Sequence, residues 1–188
     1  MDNQALANLT YGVFLLSTKF ENITNGCIID TCIQVANEPV QVAFSVSNQT
    51  YTCELLKKSG VFTMSILNQD CTFETIRHFG YQTGREVKKF AELNVPTDGN
   101  GVPYLGWQTC AALCGKVVNR LDLGTHTLFV GELAEAKVLN EETPLTYAEY
   151  QNRVKQQREN SACSDTRSPV ICIGPLHDVG HSPVTCSP

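Results

Sequence analysis

The stretch from Asn25 to Gly60 constrains the fold more than any other part of the chain. Asn25-Gly26 is a tight-turn signal, because both residues tolerate positive φ. A short run rich in β-branched residues follows, broken by Asn37-Glu38-Pro39, and a second run covers residues 40–46. The second run alternates in part, as a half-buried strand does. It empties into Ser47-Asn48-Gln49-Thr50-Tyr51-Thr52, six residues without an acidic side chain, and then into a short helix that Gly60 closes.

The remaining elements follow the same logic. Residues 4–9 read as a helical lead-in, 11–18 as a buried strand, and 19–26 as the turn back. The helix near 51–59 is followed by an alternating strand over 61–67. Asp70-Cys71-Thr72 caps a helix over about 72–79, with Phe73, Ile76 and Phe79 as its apolar face. Residues 80–85 are a loop, 86–90 a short helix, and 96–103 a surface loop. Two long strands, 111–121 and 126–138, form a hairpin around Asp122-Leu123-Gly124-Thr125. Six or seven strands with short helices between them, and no βαβ alternation or Gly-x-Gly-x-x-Gly, disfavour a doubly wound sheet. A mainly β fold, a small antiparallel barrel, is expected.

A length of 188 residues suits one domain, here 1–158, with an irregular tail over 159–188 rich in Ser, Pro, Gly and Cys. A hydrophobic fraction of 42% supplies a core. Net charge is −5 and the basic residues are dispersed, so a nucleic-acid partner is not expected. No apolar run reaches a membrane span and no basic region precedes the first apolar segment, so a cytoplasmic protein is expected. The nine cysteines include no Cys-x-x-Cys pair, and buried thiols account for them best. In the tail only His177-x3-His181 has zinc-like spacing, so no metal is expected.

Two readings of residues 47–52 stand side by side. They are a turn with an N-cap, or, with backbone amides and the positive end of a helix dipole, a seat for phosphate.

Several segments, in order, resemble the flavin reductase-like family with its FMN-binding split barrel, as in flavoredoxin and the flavin domain of high-molecular-weight rubredoxins. They are Ala7-Asn8-Leu9-Thr10-Tyr11-Gly12-Val13-Phe14, Asn25 through Val35, and Ser47 through Thr52. Gly60 through Leu67, Phe79 through Phe90 and Leu121 through Glu132 complete the set, which spans about residues 4–155. The resemblance implies FMN at a homodimer interface. Asp30, Thr31, Cys32, Ile33, Gln34 and Val35 would line the isoalloxazine, largely through backbone groups. Ser47, Asn48, Gln49 and Thr52 would hold the phosphate and ribityl chain, with Arg85 and Lys89 as cationic contacts. His126 stands where related reductases place a histidine near the nicotinamide; a strand histidine satisfied by a neighbour is the other reading.

Two departures temper the parallel. No Cys-x-x-Cys pair follows the domain, so an internal iron relay is not expected, and Gly124-Thr125-His126 has Thr where many reductases carry an acid. The resulting expectation is an NAD(P)H-dependent FMN reductase passing electrons to free flavin, a rubredoxin or a flavodiiron-type protein. The alternative is an FMN electron carrier that does not itself oxidise NADH or NADPH.

Overall fold

A computed structural model describes residues 3–154. The expected tail over 159–188 lies outside the described residues, as do its cysteines and histidines. A 3-10 helix, Asn3–Asn8, leads in, and seven strands follow: β1 (Phe14–Phe20), β2 (Ile23–Ile29), β3 (Cys32–Asn37), β4 (Val40–Ser47), β5 (Val61–Leu67), β6 (Thr109–Asp122) and β7 (His126–Val138). Helix α1 (Tyr51–Ser59) joins β4 to β5, and α2 (Phe73–Gly80) lies between β5 and β6.

All seven strands belong to one sheet in the order β2-β1-β5-β6-β7-β4-β3, and every pairing is antiparallel. The two edge strands, β2 and β3, are consecutive in the chain and joined only by Asp30-Thr31. A flat sheet of this size would set its edges about 29 Å apart, whereas the link from Ile29 to Cys32 reaches about 11 Å. The sheet therefore rolls until its edges meet at this crossover, a barrel with an unpaired seam.

Phe44, Phe62 and Phe129 fill the interior, with ring centroids 4.9 Å (Phe44–Phe62) and 5.7 Å (Phe44–Phe129) apart. Gly131 is required beside them, since a Cβ there would run into the Phe62 ring. A second core lies on the outer face of β1 and β2, where Val13, Leu15 and Ile28 pack against Ile76 and Phe79 of α2, Phe90, Leu105 and Tyr150. Strand β1 sends Leu16 to one core and Leu15 to the other, both wholly buried. A strand covered on two faces reads as a continuous apolar run, which is why this one stood out.

The barrel, α1, α2, β5 and the β6–β7 hairpin match expectation. Thr50 and Thr72 cap the two helices through side-chain oxygens, and Gly60 ends α1 at φ 66°. Gly124 takes φ 85° in the hairpin turn.

Three expectations are corrected. Asn25-Gly26 is not a turn; it lies inside β2, opposite Thr18 and Ser17. The chain reverses at Glu21, which takes φ 54°. Gly26 is there for close packing, because a Cβ would lie 3.0 Å from Leu15 Cδ1 and 3.1 Å from the Leu16 carbonyl oxygen. Residues 86–90 form turns rather than a helix, with Val87 N–H donating to the Thr83 carbonyl and Ala91 N–H to that of Lys88. The loop 96–103 is partly internal: buried Asp98 accepts from the amides of Asn100 and Val102 at 2.9 and 2.8 Å, and the Pro103 carbonyl takes the Thr63 hydroxyl at 2.7 Å. Among the described residues no helix is long and apolar enough to cross a membrane.

Candidate functional site

Strand β4 runs directly into α1. Thr50 joins them, its hydroxyl donating to the Ser47 carbonyl at 2.9 Å and accepting from Cys53 N–H at 3.2 Å. Ser47, the last residue of β4, stands opposite His126, the first of β7. The turn into α1 and the histidine at the head of β7 thus share one end of the barrel. Gln49 is exposed there, with its backbone N–H donating weakly to Ser47 Oγ at 3.4 Å. His126 is half-buried, and its Nδ1 lies 2.9 Å from Thr125 Oγ1.

The first turn of α1 carries a cation. The Arg85 guanidinium lies 4.7 Å from the Tyr51 ring centroid and pairs with Glu54 at 2.6 Å. Hydrogen bonds from Lys58 and then Arg85 hold the Glu54 carboxyl below its ordinary value. With the helix dipole positive at this end, the turn is suited to an anion. The basic group reaches it from the 80–85 loop, far along the sequence.

Beneath the same turn lies Asn25, only 3% exposed. Its Nδ2 donates to Thr52 Oγ1 at 3.0 Å, while its Oδ1 is buried without a hydrogen-bond partner. A Cβ at Gly84 would run into this amide, so the loop carrying Arg85 is pressed onto it. An unpaired buried acceptor costs about 1–3 kcal/mol, and a ligand hydroxyl donating to it would remove that cost. Asn25 was missed from sequence because its local signal was that of a turn.

The crossover Asp30-Thr31 and the start of β3 form the other part. Cys32 pairs with Phe44, three residues before Ser47 and so about 10 Å along β4. A planar ring joined through a five-carbon chain to a phosphate covers such a span. Asp30 accepts from the Thr31 hydroxyl at 2.7 Å. Burial first and the Asp30 charge second raise the phenol of Tyr11; both also raise that of Tyr147, against a hydrogen bond from Gln151. Burial pushes the Cys32 thiol up to about 12, which keeps it neutral. Ile33, Gln34 and Val35 are exposed on this edge strand, and Gln34 donates to Asn37 Oδ1 at 2.8 Å.

The fold therefore gathers Ser47, Gln49, Arg85 and His126 around the start of α1, with Asp30 to Val35 along the adjoining seam. Three residues expected at a ligand are engaged by the protein instead. Lys89 is 3% exposed, its ammonium donating to the carbonyls of Gly26 at 2.8 Å and Phe79 at 2.6 Å. Thr52 is wholly buried against Asn25. Asn48 directs both ends of its amide to other residues of the chain: Nδ2 to the Gly124 carbonyl and, at 3.4 Å, to Asp122, and Oδ1 to Thr127, Lys57 and Cys53. An amide has two donors and two lone pairs, so none remains for a ligand.

A family model of the flavin reductase like domain matches residues 6–155. The chain is 35% identical over 156 residues to a high molecular weight rubredoxin of Moorella thermoacetica, covering 83% of this chain and 68% of that protein. Over 150 residues it is also 35% identical to the ferric-chelate reductase (NAD(P)H) of Archaeoglobus fulgidus, covering 80% of this chain and 89% of that one. Among solved structures, flavoredoxin from Methanosarcina acetivorans shares the fold with a TM-score of 0.63 at 21% identity, covering 72% of this chain and 74% of the other. The rolled seven-stranded sheet and these matches carry one conclusion: the chain belongs to the flavin reductase-like family and has its split-barrel fold.

Proposed function

We propose that this chain is an FMN-dependent oxidoreductase, taking a hydride from NADH or NADPH and delivering electrons to free flavin or a redox protein. The observation that carries this reading is the meeting of Ser47, Gln49, the start of α1 and Arg85 at the barrel end headed by His126. Backbone amides of the first turn, the hydroxyl of Ser47 and the Arg85 guanidinium would hold the phosphate. Asn25 Oδ1 would accept from a ribityl hydroxyl, and the backbone of Asp30 to Val35 would line the ring. When bound, FMN supplies the chemistry of taking two electrons and releasing them singly.

The protein's own part is placement. His126 orients the donor; no side-chain acid or base is needed for hydride transfer. Cys32, neutral beside the seam, offers no competing thiolate. The exposed Ile33 and Val35 on edge strand β3, with Val118, Leu121 and Leu123 on the β6–β7 hairpin, support a homodimer. Light scattering of the flavin-loaded protein should give the mass of a dimer; a flavin-bound monomer would refute that part.

Similarity to a high molecular weight rubredoxin favours a second reading, an FMN electron carrier serving a rubredoxin or flavodiiron-type partner without oxidising NADH or NADPH. Anaerobic titration of the FMN-loaded protein with NADH and then NADPH, followed by visible absorption, separates the two. Bleaching at about one equivalent, the two-electron capacity of a flavin, supports the reductase. Colour retained until dithionite is added supports the carrier.

A further inference from the structure

We propose that Asn48 is a positioning residue that clamps the segment on both sides of His126 to the start of α1. Its backbone N–H donates to the Thr125 carbonyl at 2.9 Å, just before the histidine. Its Oδ1 accepts from the Thr127 hydroxyl at 2.6 Å, just after it. Its Nδ2 donates to the Gly124 carbonyl at 2.7 Å, fixing the hairpin turn from below. The opposite wall is α1, from which Lys57 Nζ donates to the same Oδ1 at 2.9 Å and Cys53 Sγ at 3.6 Å. One amide thus joins the end of β4 and the neighbouring helix α1 to the β6–β7 turn, 76 positions further along the chain.

The arrangement has a chemical reason for asparagine. The groups facing Nδ2 are a carbonyl and the Asp122 carboxylate, both acceptors, while those facing Oδ1 are an ammonium, a hydroxyl and a thiol, all donors. Aspartate would have the same shape but turn a carboxylate oxygen towards Asp122 and the Gly124 carbonyl. The turn would be pushed off α1 and would take Thr125 and His126 with it. Thr127, buried beside Phe129, holds the other side of the clamp.

The consequence for turnover rests on the proposed placement of His126 at the donor side; the clamp itself does not. Two variants test it, N48D and the uncharged T127V, which removes only one hydroxyl. In the ligand-free protein, the His126 imidazole resonances should shift in both, and the shift in T127V cannot arise from added charge. FMN affinity in T127V and riboflavin affinity in both variants should stay within about threefold of the parent, because no ligand hydrogen bond is lost and riboflavin has no phosphate for the added carboxylate to repel. Reduction by NADH or NADPH should slow by about tenfold or more while reduction by dithionite does not, as expected of a displaced orienting group.

Unmoved His126 resonances in both variants would overturn the clamp, and so would a large loss of riboflavin affinity in N48D, which, with no phosphate to repel, would make Asn48 a ligand contact. If the parent protein is not reduced by NADH or NADPH, the reductase reading fails. The resonance shifts then still decide the role of Asn48.

Discussion

The Lys89 ammonium donates to the carbonyl oxygen of Gly26 at 2.8 Å, across 63 positions of sequence. With a second bond to the Phe79 carbonyl, it ties the 80–90 loop to the outer face of β2. Charge-assisted bonds of this kind contribute more than neutral ones, and removing one partner leaves buried acceptors unpaired. Lys89→Met, which keeps most of the stem, should destabilise the fold by about 2–4 kcal/mol in urea denaturation. FMN affinity of the folded variant should be nearly unchanged. A stable variant that no longer holds FMN would return Lys89 to the ligand site.

Of the two cations expected at the ligand, Arg85 is the one that stays at the surface, beside the first turn of α1, held by the Tyr51 ring and by Glu54. Its exposed ion pair contributes little to stability, so Arg85→Ala should change the unfolding free energy by less than about 1 kcal/mol. Its effect should fall on phosphate. FMN binding should weaken about tenfold, a loss of about 1.4 kcal/mol, while riboflavin, which lacks the phosphate, should bind both proteins alike. Equal losses for the two ligands would remove Arg85 from the phosphate site.

Asn25 offers a test that does not depend on charge. Asn25→Ala removes the donor to Thr52 and the unpaired Oδ1 together. Losing a wasted acceptor offsets part of the lost bond and the cavity, so stability should fall by only about 1–2 kcal/mol. Affinity for FMN and for riboflavin should both drop, since each has the ribityl hydroxyls. Calorimetric titration with the two ligands measures this, and unchanged affinities would leave Asn25 a packing residue alone.

The thiols predict an alkaline limb of stability. Burial pushes Cys32 and Cys71 up to about 12 from an ordinary 9.0. Their folded-state values are raised, so between about pH 9 and 12 the unfolded chain releases protons that the folded chain keeps. The stabilisation is fully present below pH 9 and declines as pH rises, by up to about 1.4 kcal/mol per pH unit for each thiol. Urea midpoints at pH 8 and 10.5 should differ in this direction, and less so in Cys71→Ala measured against its own pH 8 value. Alkylation of either thiol in the folded protein at pH 8 should be slow.

The parts of this fold that rest on neighbouring residues were written in the sequence. Thr50 and Thr72 cap their helices because a side-chain oxygen reaches an amide three positions on, and Gly60 ends α1 because it accepts positive φ. The alternation of β5 and the long β6–β7 hairpin have the same local origin, a period of two with one face buried. These regularities, with the ordered family resemblance, were enough for the barrel and for the capped start of α1.

Tertiary structure decided what each residue does there. Asn25-Gly26 has the chemistry of a turn, yet lies inside β2 because Thr52 takes the amide and Leu15 and Leu16 leave no room for a Cβ. Lys89 sits next to exposed Lys88 in sequence but points inward, where two carbonyls more than 60 positions (Gly26) and 10 positions (Phe79) away await it. Asn48 becomes a clamp only once the rolled sheet sets the β6–β7 turn against α1. The reason is common to all three. A polar side chain's role is set by the donors and acceptors that surround it after burial, and those arrive from segments whose distance in sequence carries no trace of their distance in space.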